Sequence, residues 1–520
     1  MNITVLEITP FGFVMRLNHD SPYFSPMEYK LILNDMEIGR YRHNVISVYG
    51  LRPNTVYQGM VVGEGIAETF VIQTEDPTYV IDVRDYNAYG DGIADDTAAI
   101  NAAIYSAPSG SVVYIPEGVY LVNQILLRSG VDLYLSKGAV IRQNVLRSSL
   151  AVLKGFQQNY HHSDFTMNAS WEGNPLDSYG SLLYGQEVDH IRIYGEGTID
   201  GNGDKGDWWT NPKSKDIAYR PRNITLNRCR KISVMSITSR NSASWNTHPM
   251  YCEQVRFLNM SLISASHSPN TDGINPESCV GVEIIGCHLD VGDDCIAIKS
   301  GKYFMSQHRL QACEDILIEN CFMGDGHGGV AIGSEISGGV RNVMIRQCYM
   351  LGTDRGIRVK TRRGRGKDSI VENIHVSDIT MDQVLHGITV NMFYCCDPDG
   401  KTLYVRDKTV TEKDDYTPEV KNIRMEQINA KRLRGCAIFL YGLPESPIDG
   451  VEIRDCSFTF VESREETDHR FSFDQTIEPP EMLEDFVYDS NLGLHILNAT
   501  NVSMRNNQYT GKYNTVTDMQ

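Results

Sequence analysis

The sequence predicts an all-β chain, a long coiled β-solenoid preceded by a small N-terminal β-sandwich, and three observations carry that expectation. Ile274, Ile296, Val330, Ile357, Ile388 and Ile438 each open a short apolar strand. A second series at Val282, Ile316, Val343, Ile374, Ile423 and Val451 interleaves with the first, one member for one. Two interleaved strand series with irregular periods of roughly 22 to 50 residues mark a solenoid whose turns carry insertions. Finally, residues 1–76 alternate apolar and polar positions from Ile3 to Ile8, Gly12 to Leu17, Tyr29 to Leu33 and Thr69 to Gln73, with turn residues between.

Within that first segment Leu51, Pro53, Thr55 and Tyr57 fall in a pattern that resembles the signature of fibronectin type III domains, which implies a tyrosine hydroxyl bonded back to the chain at a sheet corner. Glu75 to Thr78 is polar and holds a proline, which places a linker there and divides the chain into residues 1–76 and 77–520. The turn-rich run from Tyr89 to Thr97 leads into an alanine-rich helix from Ala98 to Ala107, with Asp95 or Asp96 as its N-cap. With the strands that begin at Gly110, this passage resembles the start of pectinase-type right-handed parallel β-helices. In those a helix plugs the open end of the solenoid, where an apolar interior and an unpaired edge would otherwise meet water. Residues 146–185 show no period and read as a long loop. Regular coils resume at Ile191, Ile232 and Val255.

Composition excludes several functions. A net charge of −18 on 520 residues argues against nucleic acid, whose phosphates need a basic face. No run approaches the roughly 20 apolar residues of a membrane span, and Met1 to Ile8 lacks the pattern of a secretory leader, so a soluble, cytoplasmic protein is expected. The 12 cysteines all lie at or after Cys229 without zinc spacing, which suits small reduced residues packed at solenoid turns; neither metal nor cofactor is expected. Against the acidic background, Arg355, Arg358, Lys360, Arg362, Arg363, Arg365 and Lys367 crowd into one segment. They read either as a patch for an anionic ligand or, from Arg362 onward, as a solvated loop.

The chemistry gathers just ahead of the first strand series. Asn270, Thr271, Asp272 and Gly273 precede Ile274; Gly292, Asp293, Asp294 and Cys295 precede Ile296; Gly326, His327, Gly328 and Gly329 precede Val330. Alternation along the strands turns Lys299, Arg358 and Lys360 outward, and stacking of coils about 4.8 Å apart makes these residues neighbours on one outer face, in a surface cleft. Carboxylates that close cannot all ionise cheaply, so one keeps its proton, and a carboxylic acid beside carboxylates is what glycoside hydrolysis uses.

Asn-Thr-Asp, Gly-Asp-Asp, Gly-His-Gly and Arg-x-Lys in this order resemble the polygalacturonase family, glycoside hydrolase family 28, from about Tyr86 to at least Thr380, with Trp245 to Pro249 in the coil before the site. Val359 stands where the family's basic motif usually has isoleucine. The resemblance implies that Asp293 is the general acid, that Asp272 and Asp294 activate water for an inverting displacement, that His327 sets the protonation of Asp293, and that Arg358 and Lys360 hold a sugar carboxylate. An acid-to-base separation of about 6.5–9.5 Å would accompany inversion. Asn270 and Lys299 are further contact candidates, and Tyr394 is a weaker one. The implied partner is a galacturonate-containing oligo- or polysaccharide, with His327 speaking against a rhamnogalacturonan. The segment from Ser334 to Gly339 and the N-terminal sandwich resemble bacterial exo-acting members. Two other readings are a pectate lyase whose aspartates bind calcium and a non-catalytic polysaccharide-binding solenoid.

Overall fold

The computed structural model of the chain describes residues 2–158, 165–461, 492–511 and 513–517. Seven strands form two antiparallel sheets at the N-terminus. One holds Asn2–Thr9, Gly12–Asn18 and Val45–Tyr49, the other Phe24–Leu33, Met36–His43, Val56–Gly63 and Ile66–Gln73. Phe13, Met15, Leu31, Ile46, Val61 and Ile72 pack between them. Met36–His43 escaped the sequence pattern because it is an edge strand with no buried face, and its Glu37, Arg40 and Arg42 blunt the unpaired edge. At the corner, the Arg52 N–H donates to Tyr57 Oη at 2.9 Å.

The sandwich docks on the outer face of the solenoid. Phe11 stacks on Tyr134 at 4.7 Å, Tyr134 stacks on Tyr194 from the next coil at 5.2 Å, and Val14 and Val45 join Met235, Leu258 and Ile285. Residues 75–78, expected to form a linker, are tied down. Glu75 pairs with Arg192 at 2.6 Å, and the Thr78 N–H donates to the Gly110 carbonyl at 2.9 Å.

From Val80 the chain winds into a parallel β-helix. Both strand series read from the sequence are columns of directly paired residues. Ile296, Val330, Ile357, Ile388 and Ile438 are successive Cα partners, and single bridges join Thr247, Ile274 and Ile296. Val255, Val282, Ile316, Val343, Ile374, Ile423 and Val451 form the other column. A third column, Leu262, Leu289, Met323, Met350, Met381, Ala430 and Phe458, went unread. Many of its strands are only three or four residues long and use Met and Ala where β-branched residues would give a signal. Single residues with positive φ turn the corner into it: Ser236, Asn259, Gly286, Asn320 and Gln347. At Gly286 a Cβ would also lie 2.5 Å from Val45 of the sandwich.

The helix Thr97–Ser106 lays Ile100, Ala103 and Ile104 on the first coils. Asp95 accepts from the Thr97 N–H at 2.9 Å, while Asp96 turns back to the Tyr89 and Gly90 N–H groups. Eleven of the twelve cysteines are buried and all are free thiols, several on adjacent coils, as where the Cys229 N–H donates to Cys252 Sγ at 3.3 Å. Residues 146–185 are not structureless. Two short antiparallel pairs, Val152–Leu153 with Ser178–Tyr179 and Phe156–Gln158 with Phe165–Met167, frame the segment, and 159–164 lie outside the described residues. Among the described residues no helix is long and apolar enough to cross a membrane.

Ile357 is 1% exposed between Val330 and Ile388. Ile357→Ala therefore removes about 2–5 kcal/mol of stability, read as a lowered urea midpoint at unchanged m-value; a midpoint equal to the parent's would mean the coils close over the gap.

Candidate active site

Two turns deliver the acidic groups, and a third, Gly326 to Gly329, abuts them with His327. Backbone bonds from the Gly273 N–H to the Asp294 carbonyl (3.1 Å) and from the Cys295 N–H to the Gly328 carbonyl (2.8 Å) lock the turns to one another. One carboxylate oxygen from each of Asp272, Asp293 and Asp294 then lies within 4.8 Å of the others. That is closer than the separation anticipated for an inverting pair. His327 Nδ1 sits 3.3 Å from Asp293 Oδ1. Glycine is needed here for space: at Gly273 a Cβ would meet the Cys295 carbonyl at 2.4 Å, and at Gly328 it would meet Asp294 Oδ1 at 2.8 Å.

Cations surround the aspartates. Lys360 Nζ donates to Asp294 Oδ2 at 2.6 Å, and Arg358 approaches Asp294 Oδ1 at 3.5 Å. Lys299 lies 3.8 Å from Asp272, donates to Glu335 at 3.1 Å, and rests 4.5 Å above the Trp245 ring. Lys299, Arg358 and Lys360 do point away from the solenoid core, but they are buried and not displayed on a surface. Tyr394 packs against both Arg358 and Lys360, its ring 5.6 and 5.5 Å from them. Arg362, Arg363 and Arg365 are neither a solvated loop nor a free anion patch. All three are buried: Arg362 pairs with Asp399 at 2.7 Å, Arg363 with Glu445 at 2.8 Å, and Arg365 donates to Ser334 at 3.2 Å.

The environments separate the carboxyls. Burial, reinforced by the charge of Asp293, pushes Asp272 well above the usual carboxylate range. Burial acts in the same direction on Asp293, but the His327 imidazolium, its hydrogen bond and Lys360 outweigh it and hold Asp293 below that range. His327 in turn is lifted to about 9, chiefly by the Asp293 carboxylate. Of the carboxyls Asp272 thus holds a proton the more firmly, and beside it Asp293 and His327 share one.

Residues the sequence did not single out hold this arrangement. Arg220 donates to the carbonyls of Ala243 and Pro269 and to Asn270 Oδ1, each at 2.7 Å, and so fixes Asn270, whose Nδ2 reaches Asp293 at 3.5 Å. Glu277 accepts from Ser170 at 2.7 Å and pairs with His248 at 2.8 Å, pinning the 146–185 segment to the coil. Arg220 lies in an irregular stretch with no period to flag it. A larger groove of about 1030 Å³ between sandwich and solenoid contains none of the motif residues; its Arg192 and Arg256 are paired with Asp132 and Glu283. The aspartate trio offers hard oxygen donors of the kind a divalent cation takes, yet Lys299, Arg358, Lys360 and His327 already face it with positive charge.

The profile of glycosyl hydrolases family 28 matches residues 149–470, more than half of the chain and the whole of this site. The chain belongs to family 28. A second profile, rhamnogalacturonase A/epimerase, pectate lyase-like, matches residues 80–156. Relatives include a probable polygalacturonase from Vitis vinifera, 31% identical over 57% of this chain and 60% of that protein, and an exopolygalacturonase from Arabidopsis thaliana, 29% identical over 61% and 65%. The chain thus spans somewhat under two thirds of the length of these curated relatives. Among solved structures, the hyperthermoactive exopolygalacturonase of Thermotoga maritima matches with a TM-score of 0.63 at 27% identity, covering 74% of this chain and 88% of that one. The Yersinia enterocolitica family 28 exopolygalacturonase matches with a TM-score of 0.67 at 16% identity over 98% of both chains, a likeness of fold.

In this family 28 site the approach of Gly328 to Asp294 is testable. Gly328→Ala displaces Asp294 by a few tenths of an ångström, and turnover of the substrate proposed below falls about 10- to 100-fold with the melting temperature little changed; full activity would show that Asp294 tolerates the shift.

Proposed function

We propose that this family 28 chain is a polygalacturonase that hydrolyses α-1,4-galacturonosyl bonds of oligogalacturonates, with inversion, releasing single units from the non-reducing end. The observation that carries the reading is the aspartate trio within 4.8 Å, set beside the basic pair Arg358 and Lys360. Asp293 protonates the leaving oxygen and is recharged from His327. Asp272 in its ionised form, a stronger base than an ordinary carboxylate because its pKa is raised, takes a proton from water. Asp294 Oδ1, a buried acceptor without a hydrogen-bond partner, orients that water. Arg358 and Lys360 hold the sugar carboxylate through charge-assisted hydrogen bonds, with Asn270 and Lys299 as further contacts.

Two features support exo attack. Residues 170–173, which touch Glu277 and Glu335, and the stretch after Asn391, with Tyr394 buried against the basic pair, border the site. The relatives from Arabidopsis and Thermotoga are named exopolygalacturonases. Free thiols suit a reducing compartment, in keeping with a cytoplasmic enzyme that meets short oligomers.

Retention is the second reading, favoured by the short carboxylate spacing, since retaining pairs lie about 5–5.5 Å apart. Against it, a water bridging two carboxylate oxygens spans up to about 5.5 Å, and Asp294 is anchored by Lys360, which leaves it a poor nucleophile. Digestion of polygalacturonate in chelator decides between these. Galacturonate monomer as the only early product, formed first as its β-anomer by NMR and without ultraviolet absorbance, is expected. Rapid viscosity loss would mean endo attack, an α-anomer retention, and an absorbing product elimination.

The shared proton gives a pH prediction. The Asp293 and His327 unit loses it as pH rises through about 9, so kcat/KM falls there, well above the pH at which an ordinary imidazole titrates. In His327→Gln the proton is left to Asp293 alone, and the alkaline limb moves down toward the carboxylate range. An unmoved limb would separate His327 from proton delivery.

A further inference from the structure

Lys299 is held between two buried carboxylates, and the nearer one is not part of the aspartate trio. Its ammonium donates to Glu335 Oε2 at 3.1 Å, while Asp272 lies at 3.8 Å, beyond hydrogen-bond distance. We propose that Glu335 is a positioning residue for the hydrolysis: by keeping the Lys299 ammonium hydrogen-bonded to its own carboxylate, it prevents the looser Lys299–Asp272 ion pair from closing into a hydrogen bond and leaves an Asp272 oxygen for the attacking water. The inference rests on the hydrolytic reading above, in which Asp272 is the base.

Glu335 is built to stay in place. It follows the strand Val330–Gly333, and the Ser300 N–H donates to its carbonyl at 2.6 Å. Gly173 of the 146–185 segment packs onto its side chain so tightly that a Cβ there would lie 2.8 Å from the Glu335 Cβ. Lys299 is equally restrained, with Trp245 beneath its ammonium. The groups facing Glu335 are Lys299, Lys302, Lys360 and Arg365, with Glu277, Asp397 and Tyr394 further out. These cations overcome burial and hold its carboxyl well below the usual range, so the anchor remains charged. Asp272 faces Asp293, Asp294, Lys299 and Lys360, with Arg220 and Arg222 behind. A base locked to an ammonium is weak, because the cation stabilises the charged form that has to accept the proton. Drawing Lys299 aside by a fraction of an ångström leaves enough positive charge to permit the site's crowding without spending Asp272 on it.

Difference infrared spectra recorded through a pH titration of the ligand-free protein read Asp272 directly, its carboxylic-acid band being assigned by its loss in Asp272→Asn. Glu335→Gln keeps the size of the side chain and removes its charge. Lys299 then closes on Asp272, the band disappears about one pH unit or more lower, and the acid limb of kcat/KM shifts down with it. Lys299→Met shifts both upward, and Glu335→Asp, which retains the charge, stays close to the parent. A merely structural glutamate would alter the melting temperature and leave both titrations in place. A Glu335→Gln protein whose Asp272 band titrates with the parent's therefore overturns the proposal. The infrared titration needs no substrate, so failure of the parent to hydrolyse polygalacturonate would sink the hydrolytic reading and leave this measurement standing.

Discussion

Parallel register between successive coils is the constraint on which the rest of the molecule depends. Because Val330, Ile357 and Ile388 are direct Cα partners, their neighbours are too, and the outward line of the same strands runs Ala331, Arg358, Thr389 and Phe439. A slip of one residue would drive Arg358 into the interior and an isoleucine out of it. The core and the basic side of the site are therefore specified by one alignment. Each coil also sets its turn at a fixed height above the last, which is why Asp272, Asp294 and Gly328 meet although they come from three different turns.

Stacking imposes a cost along with that precision. Like residues pile on like, and a column that carries carboxylates concentrates negative charge in a dry place. The structure offsets this with Lys299, Arg358, Lys360 and His327, every one placed on a neighbouring coil or turn. Buried ion networks of this kind recover their desolvation only when geometry is good and are seldom a source of stability. Their presence beside the apolar core is accounted for by the proposed chemistry more readily than by folding. Glu335 fits the same logic, since it has no role in the core and serves to divide the attraction of one lysine.

What the sequence disclosed follows from this register. Ile357 and Ile374 announce their strands because aliphatic positions repeat in columns, and the aspartates stood out because they sit in glycine-containing turns immediately ahead of such strands. Met350 and Ala430 announce nothing, although they are equally buried, because their side chains carry no β preference, and the strand of Met350 is only three residues long. The arginines misled for another reason. A run of basic residues looks solvated when its counter-charges are out of view, and Arg362 and Arg363 find theirs at Asp399 and Glu445, 37 and 82 residues downstream. Arg220 was silent because its work is to bond the carbonyls of Ala243 and Pro269, and nothing in its neighbourhood predicts where those carbonyls fall.

Exposure within the site has a direction that bears on the proposed reaction. The side chains of Asp272 and Asp294 are 4% and 1% accessible, whereas Asp293 and His327 are 19% and 42% accessible. In the proposed reaction the proton-donating end thus lies toward solvent and the water-activating end at the bottom. In hydrolysis the donor serves the leaving oxygen, and the base serves the face of the sugar turned away from it. A chain whose terminal sugar enters first would place its first glycosidic oxygen at the exposed end, beside Asp293, with the remainder of the chain passing out through the opening. A chain lying across the site would instead have to run past Glu277, Glu335, Arg358 and Lys360, which Ser170, Gly173 and Tyr394 cover. The gradient of burial and the order of the chemistry favour the same orientation, and that agreement, more than the presence of the insertions themselves, is the physical case for removal of one unit at a time.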